Sequence, residues 1–119
     1  MKNTEKEVVK LRRYFHQNPE LSFEEHRTAR YISNYLTELG NLEVFTPTET
    51  SVVGRLKGKQ KGKKIALRAD IDALPITEEN DVAYASKRPG KMHACGHDGH
   101  TAMLLGTAKV LSQLQDEVL

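Results

Sequence analysis

Between His93 and His100 the sequence places His93, His97 and His100 together with Cys95, the chain's single cysteine. Imidazole and thiolate are the usual ligands of zinc and similar divalent metals. His93, Cys95 and His97 alternate, so in extended backbone their side chains would point to one side. His100 would follow one turn later if a helix has begun. Gly96 and Gly99 let the backbone close around an ion, and a glycine-rich turn into a helix also offers free N–H groups to an anion. Cys95 taken alone has three readings: a small buried hydrophobe, a reactive thiol or a metal ligand. Four such residues in one short stretch favour the metal.

Asp70 and Asp72 form the second group. They follow Ile65, Ala66 and Leu67, which read as the buried part of a strand, and Pro75 stops that strand. Alternation puts both carboxylates on one face, suited to a cation or to orienting a metal-bound histidine through its other ring nitrogen. Viewed alone, the pair reads equally well as two acids in a solvated turn. Glu78 and Glu79 have only loop context and are expected at the surface. His16 and His26 are isolated in helical sequence and are expected to be structural or solvent-facing.

The elements that position these groups follow from periodicity. Val8, Leu11 and Phe15, widened by Val9 and Tyr14, predict a helix from about Glu5 to His16, ending near Gln17 because Pro19 restricts Asn18. Ser22 and Glu25 have capping-box spacing, and Ala29, Ile32, Tyr35, Leu36 and Leu39 continue a second helix up to Gly40. Strands are expected at Leu42–Phe45, Ser51–Leu56 and Ile65–Ile71, the last two forming a hairpin across the glycine-spaced lysines of 57–64. An irregular loop over Glu78–Gly90 leads to a final helix, Gly99–Leu114, burying Met103, Leu104, Val110 and Leu111. The predicted class is α/β, a mixed sheet flanked by helices. A strand followed by a crossover helix calls for another strand, and only Asp116–Leu119 remain. The chain is therefore expected to be truncated before the rest of its sheet.

Composition narrows the function classes. The chain has 119 residues, 38% hydrophobic and 29% charged, with a formal net charge of +2. That is one soluble globular domain with no nucleic-acid footprint, since the lysines of 57–64 have no aromatic interleaving. No stretch has the length of a signal peptide or membrane span, and a lone cysteine makes no internal disulfide, so a cytoplasmic address is expected.

Leu67–Pro75 (LRADIDALP) and Met92–Thr101 (MHACGHDGHT) resemble the paired signatures of the hippurate hydrolase and N-acyl-amino-acid amidohydrolase group. That group lies within the dinuclear-metal aminoacylase and carboxypeptidase family. Leu11–Glu25 resembles its opening helix pair. The resemblance implies an α/β metallopeptidase-like catalytic domain with a smaller inserted domain that often mediates dimerisation. It implies hydrolysis of the amide of N-acyl amino acids with two divalent ions, manganese, zinc, cobalt or nickel. Cys95 and His97 match metal-ligating positions. Asp70 matches the acid assigned a catalytic role and Asp72 a neighbouring acid, with His93, Asp98 and His100 as supporting positions.

The expectation is thus that residues 1–119 are the N-terminal part of an amidohydrolase catalytic domain, lacking the inserted domain, the glutamate base and the remaining ligands. Its partner would be a small N-acyl amino acid, with neither nucleic acid nor membrane, and the parent a homodimer. Two alternatives stand beside this: a truncated non-catalytic remnant, and a hydrolase using Cys95 as nucleophile with His97 as its base.

Overall fold

The amphipathic stripe near the N-terminus folds as expected. In the computed structural model, which describes residues 2–115, helix α1 spans Lys2–Gln17. Leu11 and Phe15 are buried on its inner face, whereas Val9 and Tyr14 at the edges of the stripe remain exposed. Burial of a phenylalanine to the depth of Phe15 stabilises by about 1.5–3 kcal/mol. The helix stops where Pro19 requires it to, with the Asn18 N–H donating to the Phe15 carbonyl at 3.1 Å.

Helix α2 spans His26–Leu39, and its start corrects the sequence reading. Ser22 and Glu25 form no capping box. Phe23 takes a left-handed φ of 67°, which turns the chain so that Glu25 itself occupies the N-cap, without a side-chain cap bond. The free N–H groups are instead met from further upstream. Glu20 accepts from the Thr28 N–H at 2.6 Å and from the Arg27 N–H at 3.2 Å, a role worth about 1 kcal/mol at a helix start. At the other end Gly40 adopts φ 87° and donates to the Thr37 carbonyl, as expected.

Strands β1 (Leu42–Phe45) and β2 (Val53–Leu56) form an antiparallel pair in which Leu42 faces Leu56 and Val44 faces Gly54. The hairpin therefore joins the first and second predicted strands, not the second and third. Residues 57–72 pair with nothing as a strand among the described residues. Ile65 and Leu67, expected to be buried, are 87% and 58% exposed. The physical reason is the missing neighbour: a strand is defined by the ladder beside it. The architecture is α/β, three helices against a small sheet. Single bridges, Leu21 with Ala73 and Leu74 with Met92, tie the following segment to the link between α1 and α2 and to the turn ahead of the last helix.

Helix α3 spans His97–Gln113 and packs on α1 and α2. Its buried face is not the predicted one. Ala102, Leu105 and Gly106 point inward, while Met103 is 55% exposed and Leu104, Val110 and Leu111 are only half-buried. Gly106 fixes this choice, because a Cβ there would lie 2.5 Å from a methyl of Val8. Two helices can approach this closely only over a missing side chain. Leu11, Phe15, Ile32, Leu36, Ala102 and Leu105 make the common core. The expectation that Asp116–Leu119 add no strand lies outside the described residues.

Candidate metal and catalytic centre

The chemistry-bearing residues gather at the start of α3. Gly96, at φ 99°, is its N-cap, so the chain turns out of extended backbone between Cys95 and His97. The turn overrides the simple alternation. His93 is buried, Cys95 is exposed, and His97 stands on the first turn of the helix.

His97 is the most constrained of them. Its Nδ1 lies 2.8 Å from Oδ1 of Asp72 and 3.1 Å from the Asp72 backbone carbonyl. A carbonyl oxygen only accepts, so Nδ1 carries the proton and donates to both. In the neutral ring the Nε2 lone pair is then free to act as a donor to a metal. Asp70 lies on that side, its Oδ2 3.8 Å from Nε2, too far for a hydrogen bond. Asp70 also pairs with Arg68, and its backbone carbonyl accepts from the Thr101 hydroxyl at 2.9 Å. The two aspartates thus share one face toward His97, as the alternation requires. They do so from an unpaired extended segment rather than from a strand end.

His100 is exposed, its ring 5.7 Å from that of His97 between centroids. Among the described residues no three His, Cys, Asp or Glu side chains converge closely enough to hold a metal ion. The donor chemistry of Cys95 and His97 nevertheless fits such an ion. One is an accessible thiol, and the other is an imidazole held in the donor tautomer by a carboxylate.

A cleft of about 520 Å³ opens beside this turn, lined among others by Arg12, His16, Glu78, His93, Cys95 and Asp98. Neither ring nitrogen of His93 has a hydrogen-bond partner among the described residues. Burial holds its pKa down to about 4, partly opposed by the nearby charge of Asp98, so the ring is neutral at physiological pH.

Three residues form a buried network that no local spacing in the sequence points to. Asp98 is 1% exposed and accepts from Arg12 Nε at 2.9 Å, His16 Nδ1 at 2.8 Å and the Gly99 N–H at 2.9 Å. His16 is structural, as one of its two readings had it, and buried. Its Nε2 meets both oxygens of Glu78, at 3.0 and 3.1 Å. Glu78 was expected at the surface, but its side chain is only 4% exposed. Burial works to raise its pKa. The bonds from His16, the Ser86 N–H and Asn80 outweigh that and hold it below the ordinary 4.5. Only long-range contact separates these groups from ordinary helix and loop residues, and no local spacing carries that signal.

The chain is similar to several known proteins. Residues 66–119, which include both aspartates and the whole histidine cluster, match peptidase family M20/M25/M40. An N-acyl-L-amino acid amidohydrolase of Geobacillus stearothermophilus is 58% identical over 94% of this chain and 30% of its own length. An N-acetyl-L-cysteine deacetylase of Bacillus subtilis is 50% identical over 96% of this chain and 27% of its own. A dinuclear metal-binding M20 peptidase of Bacillus subtilis superposes with a TM-score of 0.91 at 44% identity. The superposition covers 97% of this chain and 33% of that one.

Over residues 66–119 the chain resembles the M20 peptidases.

It spans about 30% of the length of the curated relatives it matches. Among its described residues no helix is long and apolar enough to cross a membrane.

Proposed function

We propose that this chain supplies two ligands, Cys95 and His97, to a pair of divalent metal ions in an enzyme that hydrolyses the amide of N-acyl amino acids. The observation that carries the reading is the orientation of His97. Its Nδ1 is committed to Asp72, which leaves Nε2 as the donor. This carboxylate–histidine arrangement fixes ring angle and tautomer in metal sites, and its loss typically costs about 10–100-fold in affinity or activity. A metal pair held by Cys95 and His97 would supply Lewis-acid polarisation of the scissile carbonyl and a lowered pKa for bound water. Asp72 acts as the positioning carboxylate. Asp70, on the Nε2 side, is the acid nearer the reacting groups, and His93 and His100 flank the site. Support for the substrate class comes from relatives whose names specify N-acyl amino acids and N-acetyl-L-cysteine. The identity of the metals, manganese, zinc, cobalt or nickel, and dimerisation through an inserted domain belong to the same proposal. So does a cytoplasmic address. The chain is read as the N-terminal part of the catalytic domain.

The geometry disfavours the rival use of Cys95 as a nucleophile. That chemistry needs an imidazole within hydrogen-bond reach of the thiol. Nε2 of His97 is free to accept a proton, but no hydrogen bond joins Cys95 to His93 or His97 among the described residues.

The test is the hydrolysis of N-acetyl and N-benzoyl amino acids by the protein that carries this sequence, followed by release of the free amino acid. The expected result is turnover abolished by a chelator and restored by manganese or zinc. Turnover indifferent to chelation but abolished by thiol alkylation would overturn the metal reading in favour of the nucleophile.

A further inference from the structure

We propose that His16 is a positioning residue for the metal-binding turn: bonded through both ring nitrogens, it ties the head of α3 at Asp98 to the 78–86 loop at Glu78. The inference rests on the reading of Cys95 and His97 as ligands, because that is what makes the turn between them worth holding.

The bonding pattern is demanding. Both ring nitrogens of His16 face carboxylate oxygens, Asp98 at 2.8 Å and Glu78 at 3.0 Å. Each ring nitrogen thus has a carboxylate partner within hydrogen-bond distance, so neither is left without a match. The three groups are almost wholly buried, with side-chain exposures of 3%, 1% and 4% for His16, Asp98 and Glu78. A buried polar network of this kind stabilises only when every member is satisfied. Here each is: Arg12 and the Gly99 N–H complete Asp98, while the Ser86 N–H and Asn80 complete Glu78.

The connections explain what the network positions. Asp98 directly follows His97 on the first turn of α3, so anchoring its carboxylate to α1 fixes the rotation of that turn. Glu78 belongs to a loop whose ends are held by the Leu74–Met92 bridge, with Lys87 N–H bonded to the Gln17 carbonyl at 2.9 Å. The cleft that includes His93 and Cys95 lies between these anchored parts, and both His16 and Glu78 line it. Tyr84 closes the assembly, its ring 5.9 Å from that of His16 and beneath the guanidinium groups of Arg12 and Arg13. A histidine on the first helix thereby determines how far a cysteine and a histidine at the start of the last helix can move.

Substitution separates positioning from bulk stability. Glu78→Gln keeps a partner for Nε2 of His16, because the glutamine amide can both donate and accept. Glu78→Ala and His16→Ala leave buried partners unmatched. The full chain is examined metal-free by long-range ¹H–¹⁵N NMR of the His97 ring, and then titrated with cobalt(II) while the thiolate-to-cobalt absorption of Cys95 is followed. Wild type and Glu78→Gln should show His97 protonated at Nδ1. His16→Ala and Glu78→Ala should show mixed tautomers and bind cobalt about 10-fold more weakly, the low end for an outer partner. If His16→Ala fails to fold, the Glu78 pair decides. A folded Glu78→Ala protein matching Glu78→Gln in both readouts would overturn the proposal. An absent thiolate band in every protein, wild type included, would overturn the ligand reading of Cys95. The ring spectra would then decide the positioning claim alone.

Discussion

Residues 61–70 and the contact between α1 and α3 contain similar apolar residue types but meet opposite fates. On α1, Leu11 and Phe15 are 3% and 1% exposed, closed over by α3 along the bare surface of Gly106. Ile65 and Leu67 are as hydrophobic as any core residue yet stand largely in solvent. The contrast shows that apolar patterning specifies which face seeks burial, while burial itself depends on a neighbouring element being there to accept it. It also divides the candidate site. His97 and Asp98 stand on the well-packed side, and Asp70 and Asp72 reach them from the loosely held side.

The largest effect should come from the packed side. Phe15→Ala should lose about 3–5 kcal/mol, read from the urea midpoint at constant m-value. A loss below about 1 kcal/mol would mean that the α1–α3 contact is not the chain's core. Gly106→Ala sharpens the point, because alanine favours a helix by about 1 kcal/mol over glycine. The clash with Val8 should nevertheless win, giving a net loss of about 1–2 kcal/mol within the overpacking range. A gain would show that the helices can separate at no cost.

A smaller effect is expected from acid. Glu78 and Glu7 both titrate below the ordinary carboxylate value of 4.5. For Glu7 the main cause is the hydrogen bond from Lys109; for Glu78, bonds from His16, Ser86 and Asn80 overcome the opposing effect of burial. A depressed carboxylate stabilises fully above its unfolded pKa, and that contribution disappears as pH falls through the folded value. Stability should therefore fall as pH drops below about 4.5. Protonation of buried His93 works in the same direction between pH 6.5 and about 4. The Glu78 contribution is accordingly the difference between wild type and Glu78→Gln, and parallel pH profiles for the two proteins would contradict it. The smallest effect belongs to the exposed side. Ile65→Ser and Leu67→Ser should each change stability by no more than about 0.5 kcal/mol, and amides of 61–70 should exchange close to the unprotected rate. Strong protection there would mean that this segment has found a partner strand.

Which parts were legible in the sequence follows from the range of the interactions involved. Both N-terminal helices, the stop before Pro19 and the left-handed Gly40 depend on residues a few positions apart, and spacing reveals them. The start of α2 was misread because Glu20, eight positions before Thr28, displaced a correctly spaced Ser22 and Glu25. The hairpin was misassigned because local patterning cannot say which of three strand-like segments pair. The face of α3 was misjudged because Gly106, which looks neutral in sequence, is where α1 approaches closest. Asp70, Asp72, Cys95 and His97 could be singled out as a group because they lie in two short motifs. His16 and Glu78 could not, since 62 positions separate them.

The most direct test of the account is the metal content of Cys95→Ser, His97→Ala and His26→Ala, each purified in the protein that carries this chain and loaded with one concentration of manganese or zinc. His26 is exposed and serves as the control. The account predicts that the first two variants lose affinity by at least about 10–100-fold, the range seen even for outer partners, while His26→Ala retains the wild-type content. Equal metal in all three would contradict it, and the centre would have to lie elsewhere.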